Sequence, residues 1–173
     1  MKYLISLIFS TFLFASEVFF MPIDGKKAEN KLYYTYTHAH KNIKIIIYTF
    51  TNKKLAKALK IASKHHVKIT IIADKKEAKF QKSVIPNLAA IKNIKIYLLH
   101  GKAYKNGDFG KLHAKVSIVD DKILITGSAN YSYSAFFKNY EYIIFHYDKH
   151  LIKKFDWFFE YLKSKATPYR LSQ

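Results

Sequence analysis

The chain contains no cysteine. Disulfides, thiolate metal sites and thiol nucleophiles are therefore excluded, and any covalent chemistry must use another side chain. Arginine is nearly absent as well, standing only at position 170, although lysine and arginine together number 30. Arginine is the side chain whose planar fork reads guanine edges, whereas lysine acts closer to a point charge. A basic surface of this kind suits phosphates better than bases. Acidic residues are few, 12 against those 30, which leaves a formal net charge of +18 over 173 residues. With only 5 glycines and 3 prolines the sequence is no low-complexity polymer, and it shows no linker and no internal repeat of useful length.

What is there in quantity is apolar. A hydrophobic fraction of 50% excludes a disordered polycation and fits one ordinary domain with a real core. A charge of +18 on such a domain favours a polyanionic partner, nucleic acid or an anionic lipid surface. Scattered, solvated lysine is the plainer alternative.

After Met1-Lys2 comes the apolar run Tyr3 to Ala15, interrupted only by Ser6, Ser10 and Thr11 and ended by Glu17. It is short of the roughly 20 residues that a spanning helix needs and right for the apolar part of a signal peptide. The cleavage signature is poor, because Leu13 or Phe14 stands where a small residue is expected two places before Ala15 or Ser16. Residues 1–16 are read as a leader of an exported protein, cleaved or kept as a membrane anchor. That places the domain, 17–173, in the periplasm or outside. A buried first strand or helix is the alternative.

Beyond the leader, strand-like and helix-like stretches alternate. Val18–Met21, Lys44–Phe50, Val67–Ala73, Ile94–Leu99, Leu112–Val119, Ile123–Thr126 and Glu141–Tyr147 read as strands. Lys27–His40, a stretch capped by Asn52, Phe80–Ile91 and a last stretch opened by Asp148 read as helices. Asp120-Asp121-Lys122 is a tight-turn signal, and His100–Gly110 a flexible loop. The pattern predicts a one-domain α/β fold with a mixed sheet flanked by helices.

Among 8 histidines, His65-His66 can complement the carbonyl end of a helix, and His38-x-His40 would point to different helix faces rather than hold a metal together. His113 differs in the residues downstream of it: His113-x-Lys115, four residues, Asp120, six residues, Gly127-Ser128-x-Asn130. His66-x-Lys68 and His100-x-Lys102 repeat the short pair but lack the rest. On a strand, His113 and Lys115 share a face, and the turn brings Gly127 to Asn130 back beside them. The set reads as a phosphate pocket, with Lys115 as cation, Ser128 and Asn130 as neutral donors, and His113 aimed at phosphorus. A core hairpin with incidental polar residues is the bland alternative.

These residues, with Glu141 in Lys138-Asn139-Tyr140-Glu141, resemble the phospholipase D superfamily, and within it the small bacterial endonucleases that carry one copy of the HKD motif. The resemblance implies a phospholipase D-like fold and catalysis through a covalent phosphohistidine, with no metal and no cofactor required. Carried onto this chain, it makes His113 the nucleophile, with Lys115 and Asn130 neutralising the phosphoryl oxygens. Glu141 would fix the imidazole tautomer, and Ser128 would contact the phosphate or the His–Glu pair. Asp120 and Gly127 would be structural. A nucleophilic histidine needs a partner acid, and one motif per chain supplies none, so a homodimer sharing its site is expected.

The substrate expected first is DNA, with RNA a second nucleic acid in view, and little sequence preference. Tyr104, Phe109, Tyr131, Tyr133, Phe136 and Phe137 lie near the motif, and exposed rings beside a basic groove would hold unpaired bases. The alternatives are a phospholipase acting at a membrane, which the apolar leader also suits, and a non-catalytic nucleic-acid binder.

Overall fold

The structure is a computed structural model and describes residues 16–170, so the expected leader lies outside the described residues but for Ser16. Its elements in chain order are β1 (Glu17–Met21), α1 (Gly25–Thr37), β2 (Asn42–Ile47), α2 (Lys53–Lys64), β3 (Lys68–Asp74), α3 (Ile85–Ala89), β4 (Ile94–Leu99), β5 (Val116–Val119), β6 (Ile123–Gly127), α4 (Tyr133–Phe137), β7 (Glu141–His146), α5 (Lys149–Lys165) and β8 (Thr167–Pro168). One mixed sheet joins all eight strands in the order β1-β7-β6-β5-β2-β3-β4-β8. β2, β3 and β4 run parallel, as their helical crossovers require, and the other pairings are antiparallel.

Central β2 reads Asn-Ile-Lys-Ile-Ile-Ile because both faces of the strand are covered. Ile43, Ile45 and Ile47 pack with Leu32 of α1 and with Leu55 and Leu59 of α2. Ile46 points the other way, into a second cluster with Ile118, Leu124 and the α5 residues Ile152 and Phe159. Lys44 shares that side, where its ammonium pairs with Asp156 and, at 3.2 Å, with Glu160 of α5. Opposite faces thus carry α1 and α2 on one side and α5 on the other. On the α5 side, Val18 and Phe20 of β1 and Tyr142 of β7 stay exposed.

Both predicted caps form: the Asn52 side chain accepts from Leu55 N–H at 3.0 Å, and that of Asp148 accepts from Leu151 N–H at 2.6 Å. The helix expected over Phe80–Ile91 does not. A 3-10 turn at Glu77–Lys79 precedes it, and α3 covers only Ile85–Ala89. The reason is Pro86, which lacks an N–H and is tolerated in a first helical turn but not further in. The strand expected from Leu112 starts instead at Val116, because the backbone before it bonds outside the ladder, with Leu112 N–H donating to the Asp74 carboxylate at 3.0 Å.

Candidate active site

The carboxyl ends of β2, β3 and β4 open on one edge of the sheet, where ligand sites of parallel α/β sheets gather. Antiparallel pairing brings the start of β5, the end of β6 and the start of β7 to the same edge, since Ile46 faces Val116, Val116 faces Thr126, and Gly127 faces Ile143. His113, Lys115, Ser128, Asn130 and Glu141 all belong to these strand ends.

His113 stands on the extended lead-in to β5, with its ring solvent-exposed. Lys115 is buried, and its ammonium lies 2.9 Å from Nδ1 and 3.1 Å from Nε2 of His113. It also donates to the His113 carbonyl at 2.7 Å. A cation this close to both ring nitrogens repels a protonated imidazole, so the contact favours the neutral ring. Burial of its inner side, then the cations of Lys115 and Lys111, hold His113 below an ordinary histidine pKa, against the carboxylates of Glu141 and Asp74. Burial also lowers the Lys115 pKa, and Glu141 opposes it.

Glu141 therefore acts on the pair through its charge, while its Oε1 accepts from Asn139 Nδ2 at 3.4 Å. Ser128 is clasped to β7: its N–H donates to Tyr142 O and its hydroxyl accepts from Tyr142 N–H, both at 3.1 Å. The hydroxyl proton is left to donate. Asn130 sits across from β2, its side-chain oxygen accepting from Thr49 N–H at 3.3 Å. Gly127 is dictated by backbone proximity, since a Cβ there would stand 2.1 Å from the Tyr142 carbonyl oxygen.

Asp120 lies at the opposite end of the hairpin. Its carboxylate accepts from the N–H groups of His40, Lys41 and Asn42 at 2.8, 2.7 and 3.1 Å. It thereby ties the β5–β6 turn to the start of β2.

The rings singled out beside the motif divide. Tyr104, Phe109 and Tyr133 are exposed. Phe137 is half-buried, packed against the core. Tyr131 and Phe136 belong to the core and cannot stack on bases. The Tyr131 hydroxyl is spent in a buried triangle with Tyr36, 2.9 Å away, and Ser117, 2.7 Å away.

Two residues at the site carried no functional reading in the sequence. The Tyr48 ring lies 4.8 Å from the His113 ring, with the Lys111 and Lys115 ammonium groups 5.5 and 5.6 Å from its centroid. Asp74 is buried and accepts from Lys76, Glu77 and Leu112 N–H groups at 2.9, 3.1 and 3.0 Å, which pins the lead-in one residue before His113. A polar residue ending a fully buried parallel strand was the available signal for Asp74. Clefts flank the pair on two sides. One, of about 890 Å³, includes Tyr48, Lys75, Tyr104, Phe109 and Lys111, and the other, of about 590 Å³, includes His113, Lys111, Phe158, Tyr161 and Lys165. Among the described residues no group of three or more His, Asp or Glu side chains is placed to hold a metal ion.

Residues 34–163 match the family described as "Cardiolipin synthase, PLD-like domain". Among solved structures, NucT from Helicobacter pylori superposes with a TM-score of 0.87 at 32% identity, covering 90% of this chain and 99% of that one. A phospholipase D family member, Nuc from Salmonella typhimurium, superposes with a TM-score of 0.75 at 23% identity over 91% of this chain and 99% of its own. The mitochondrial cardiolipin hydrolase of Xenopus laevis is 25% identical over 130 residues, 75% of this chain. This chain spans 58% of that relative's length. The matched family, the shared fold and the motif at the sheet edge agree: the chain belongs to the phospholipase D superfamily of phosphodiesterases, in its small Nuc-like form.

Proposed function

We propose that the protein is an endonuclease that hydrolyses DNA, and RNA as a further substrate, with little sequence preference and without a metal. The observation that carries this reading is the buried Lys115 ammonium set against the exposed His113 ring, between two clefts that lysines line. A phosphodiester oxygen arriving at Lys115 would replace its bond to the ring and free an imidazole nitrogen for attack. That nitrogen forms a bond to phosphorus as the bond to the leaving oxygen breaks, giving a phosphohistidine. The leaving oxygen takes a proton from an acid; water then attacks phosphorus, loses its proton to the same group, and breaks the P–N bond. Lys115, the Ser128 hydroxyl and the Asn130 amide would carry the phosphoryl oxygens.

The motif itself offers one histidine and no second one for the acid, and His100, which lines the same two clefts, has its Nδ1 engaged with the Gly101 carbonyl at 2.8 Å. A two-fold homodimer would supply one, and the exposed Val18, Phe20 and Tyr142 on the α5 side are apolar surface that such pairing would cover. The lysine surface supports a nucleic-acid substrate, since contacts to phosphates bring affinity without base readout. The apolar run before Ser16 supports an exported protein.

A second reading, hydrolysis of membrane phospholipid, draws on the cardiolipin hydrolase relatives and on exposed Trp157 and Tyr161, ring types that suit a lipid interface. The deciding experiment gives the purified protein plasmid and single-stranded DNA, and separately phosphatidylcholine and cardiolipin vesicles, with EDTA throughout and a His113→Ala control. DNA cleavage that EDTA spares and His113→Ala abolishes is expected. Lipid turnover without DNA cleavage would overturn the nuclease reading, and full activity of a strict monomer would overturn the shared site.

A further inference from the structure

A groove of about 1130 Å³ runs along α2 on the face of the sheet opposite α5. One wall presents Lys53, Lys57 and Lys60 from α2, and the other carries Lys82. The three α2 lysines recur at i, i+4 and i+7, which keeps them on one stripe and spreads them about 10 Å along the helix axis. All four are exposed, and among the described residues none of them makes an ion pair. The acidic residue in the groove, Glu29, is buried and committed elsewhere: its carboxylate accepts from Asn52 Nδ2 at 2.7 Å and from Lys54 at 2.9 Å.

Two further features make this stripe a poor arrangement for an empty surface. Like charges three and four residues apart on a helix repel one another. The first turn of α2 holds no acidic residue, so Lys53 also stands against the positive end of the helix dipole. A polyanion along the groove relieves both. The groove also opens at the catalytic edge. The Thr51 and Asn52 N–H groups at its mouth donate to the Tyr131 carbonyl at 2.8 and 2.9 Å, one residue from Asn130, and exposed Tyr133 stands beside them.

We propose that the α2 groove is a second substrate subsite, which holds the phosphate backbone of a nucleic-acid strand several nucleotides away from the phosphodiester at His113. The proposal rests on the nuclease reading and adds to it a track outside the reacting centre. The strand is held by charge alone, so the subsite would favour long substrates over short ones without favouring any sequence.

The test compares two triple variants of equal charge change. Lys57→Gln/Lys60→Gln/Lys82→Gln removes three of the four groove lysines. Lys41→Gln/Lys68→Gln/Lys122→Gln removes the same charge from exposed positions at the opposite edge of the sheet. Both are combined with His113→Ala, and binding of a fluorescein-labelled 24-nucleotide single strand is followed by anisotropy between 50 and 200 mM salt. Three lost contacts should flatten the slope of log affinity against log salt by about 2, so that affinity falls about twenty-fold less than in the parent over that range. The control triple should keep most of the parent slope. With His113 restored, the KM for the 24-mer relative to that for a dinucleotide should rise in the groove triple. Equal slopes for the two triples, or an unchanged slope for the groove triple, would overturn the subsite. Weaker binding of cardiolipin vesicles alone, with the oligonucleotide slope intact, would overturn it in favour of a membrane surface. Failure of the nuclease reading looks different: the parent then cleaves neither nucleotide substrate, whatever the slopes.

Discussion

Asp74→Ala should cost both stability and turnover, and the two losses can be separated. The carboxylate accepts three backbone N–H groups, with Oδ1 serving Lys76 and Glu77 and Oδ2 serving Leu112. Water can reach the first two donors, because Lys76 is exposed and Glu77 half-buried. The Leu112 donor is buried and would be left unpaired, a penalty of about 1–3 kcal/mol. Adding the two partly compensated bonds gives a loss of about 3 kcal/mol, or a Tm lower by about 6–12 °C for a domain of this size. Asp74→Asn keeps one oxygen for Lys76 and Glu77 but turns an NH2 group toward the Leu112 N–H, so it should lose about half as much. Urea denaturation gives both values. Assayed well below its Tm, Asp74→Ala should lose kcat more than it raises KM, because the released Leu112 N–H no longer fixes its neighbour in the chain, His113. A stability loss below about 0.5 kcal/mol would refute the hydrogen-bond argument. A clear stability loss with wild-type kcat would refute the positioning role.

Two other perturbations test the site from different sides. The Lys111 cation helps to hold the His113 pKa down by disfavouring the imidazolium. Lys111→Gln should therefore raise that pKa, and the acid limb of kcat/KM, which on the proposed mechanism reports neutral His113 in the free enzyme, should move to higher pH; a shift to lower pH contradicts the assignment. Gly127→Ala would put a methyl group 2.1 Å from the Tyr142 carbonyl oxygen, so β6 and β7 must part where Ser128 bonds to Tyr142. A cost of about 3 kcal/mol is expected, read as a lower Tm with the far-UV spectrum kept, and a Tm within about 2 °C of wild type would show that the strands yield easily.

The sheet was legible wherever burial dictated composition. Ile45 to Ile47 and Ile71 to Ala73 are buried and apolar on both faces, which a strand between two helical layers requires. Caps were legible because a single side chain decides them, as Asn52 and Asp148 do. The stretch from Phe80 to Ile91 was not, since its apolar spacing suits a helix that Pro86 then limits to one short turn. Burial of individual rings is also a tertiary outcome. Tyr131 and Tyr133 are two residues apart and equally aromatic, yet one closes a buried hydroxyl triangle and the other faces solvent. The motif set off His113, Lys115, Ser128 and Asn130 because their spacing is local to one hairpin. Tyr48 and Asp74 reach the same edge from other strands, and no local spacing announces them.

The charges at the centre explain why Lys115 is buried rather than merely nearby. On the proposed mechanism, a phosphodiester anion approaching His113 would favour the imidazolium, which cannot attack phosphorus. An exposed lysine would be screened by water and salt and would counter this weakly. Buried beside the ring, the Lys115 ammonium acts at low effective dielectric on both partners: it disfavours the imidazolium and attracts the diester. The same burial lowers its own pKa, and the charge of Glu141 opposes that change. Glu141 also raises the His113 pKa, so a single carboxylate supports the cation at some cost to the neutral imidazole. Its placement at β7, in range of both yet bonded to Asn139, balances these opposed demands. A carboxylate moved closer would keep Lys115 charged but push His113 toward the protonated form that cannot react.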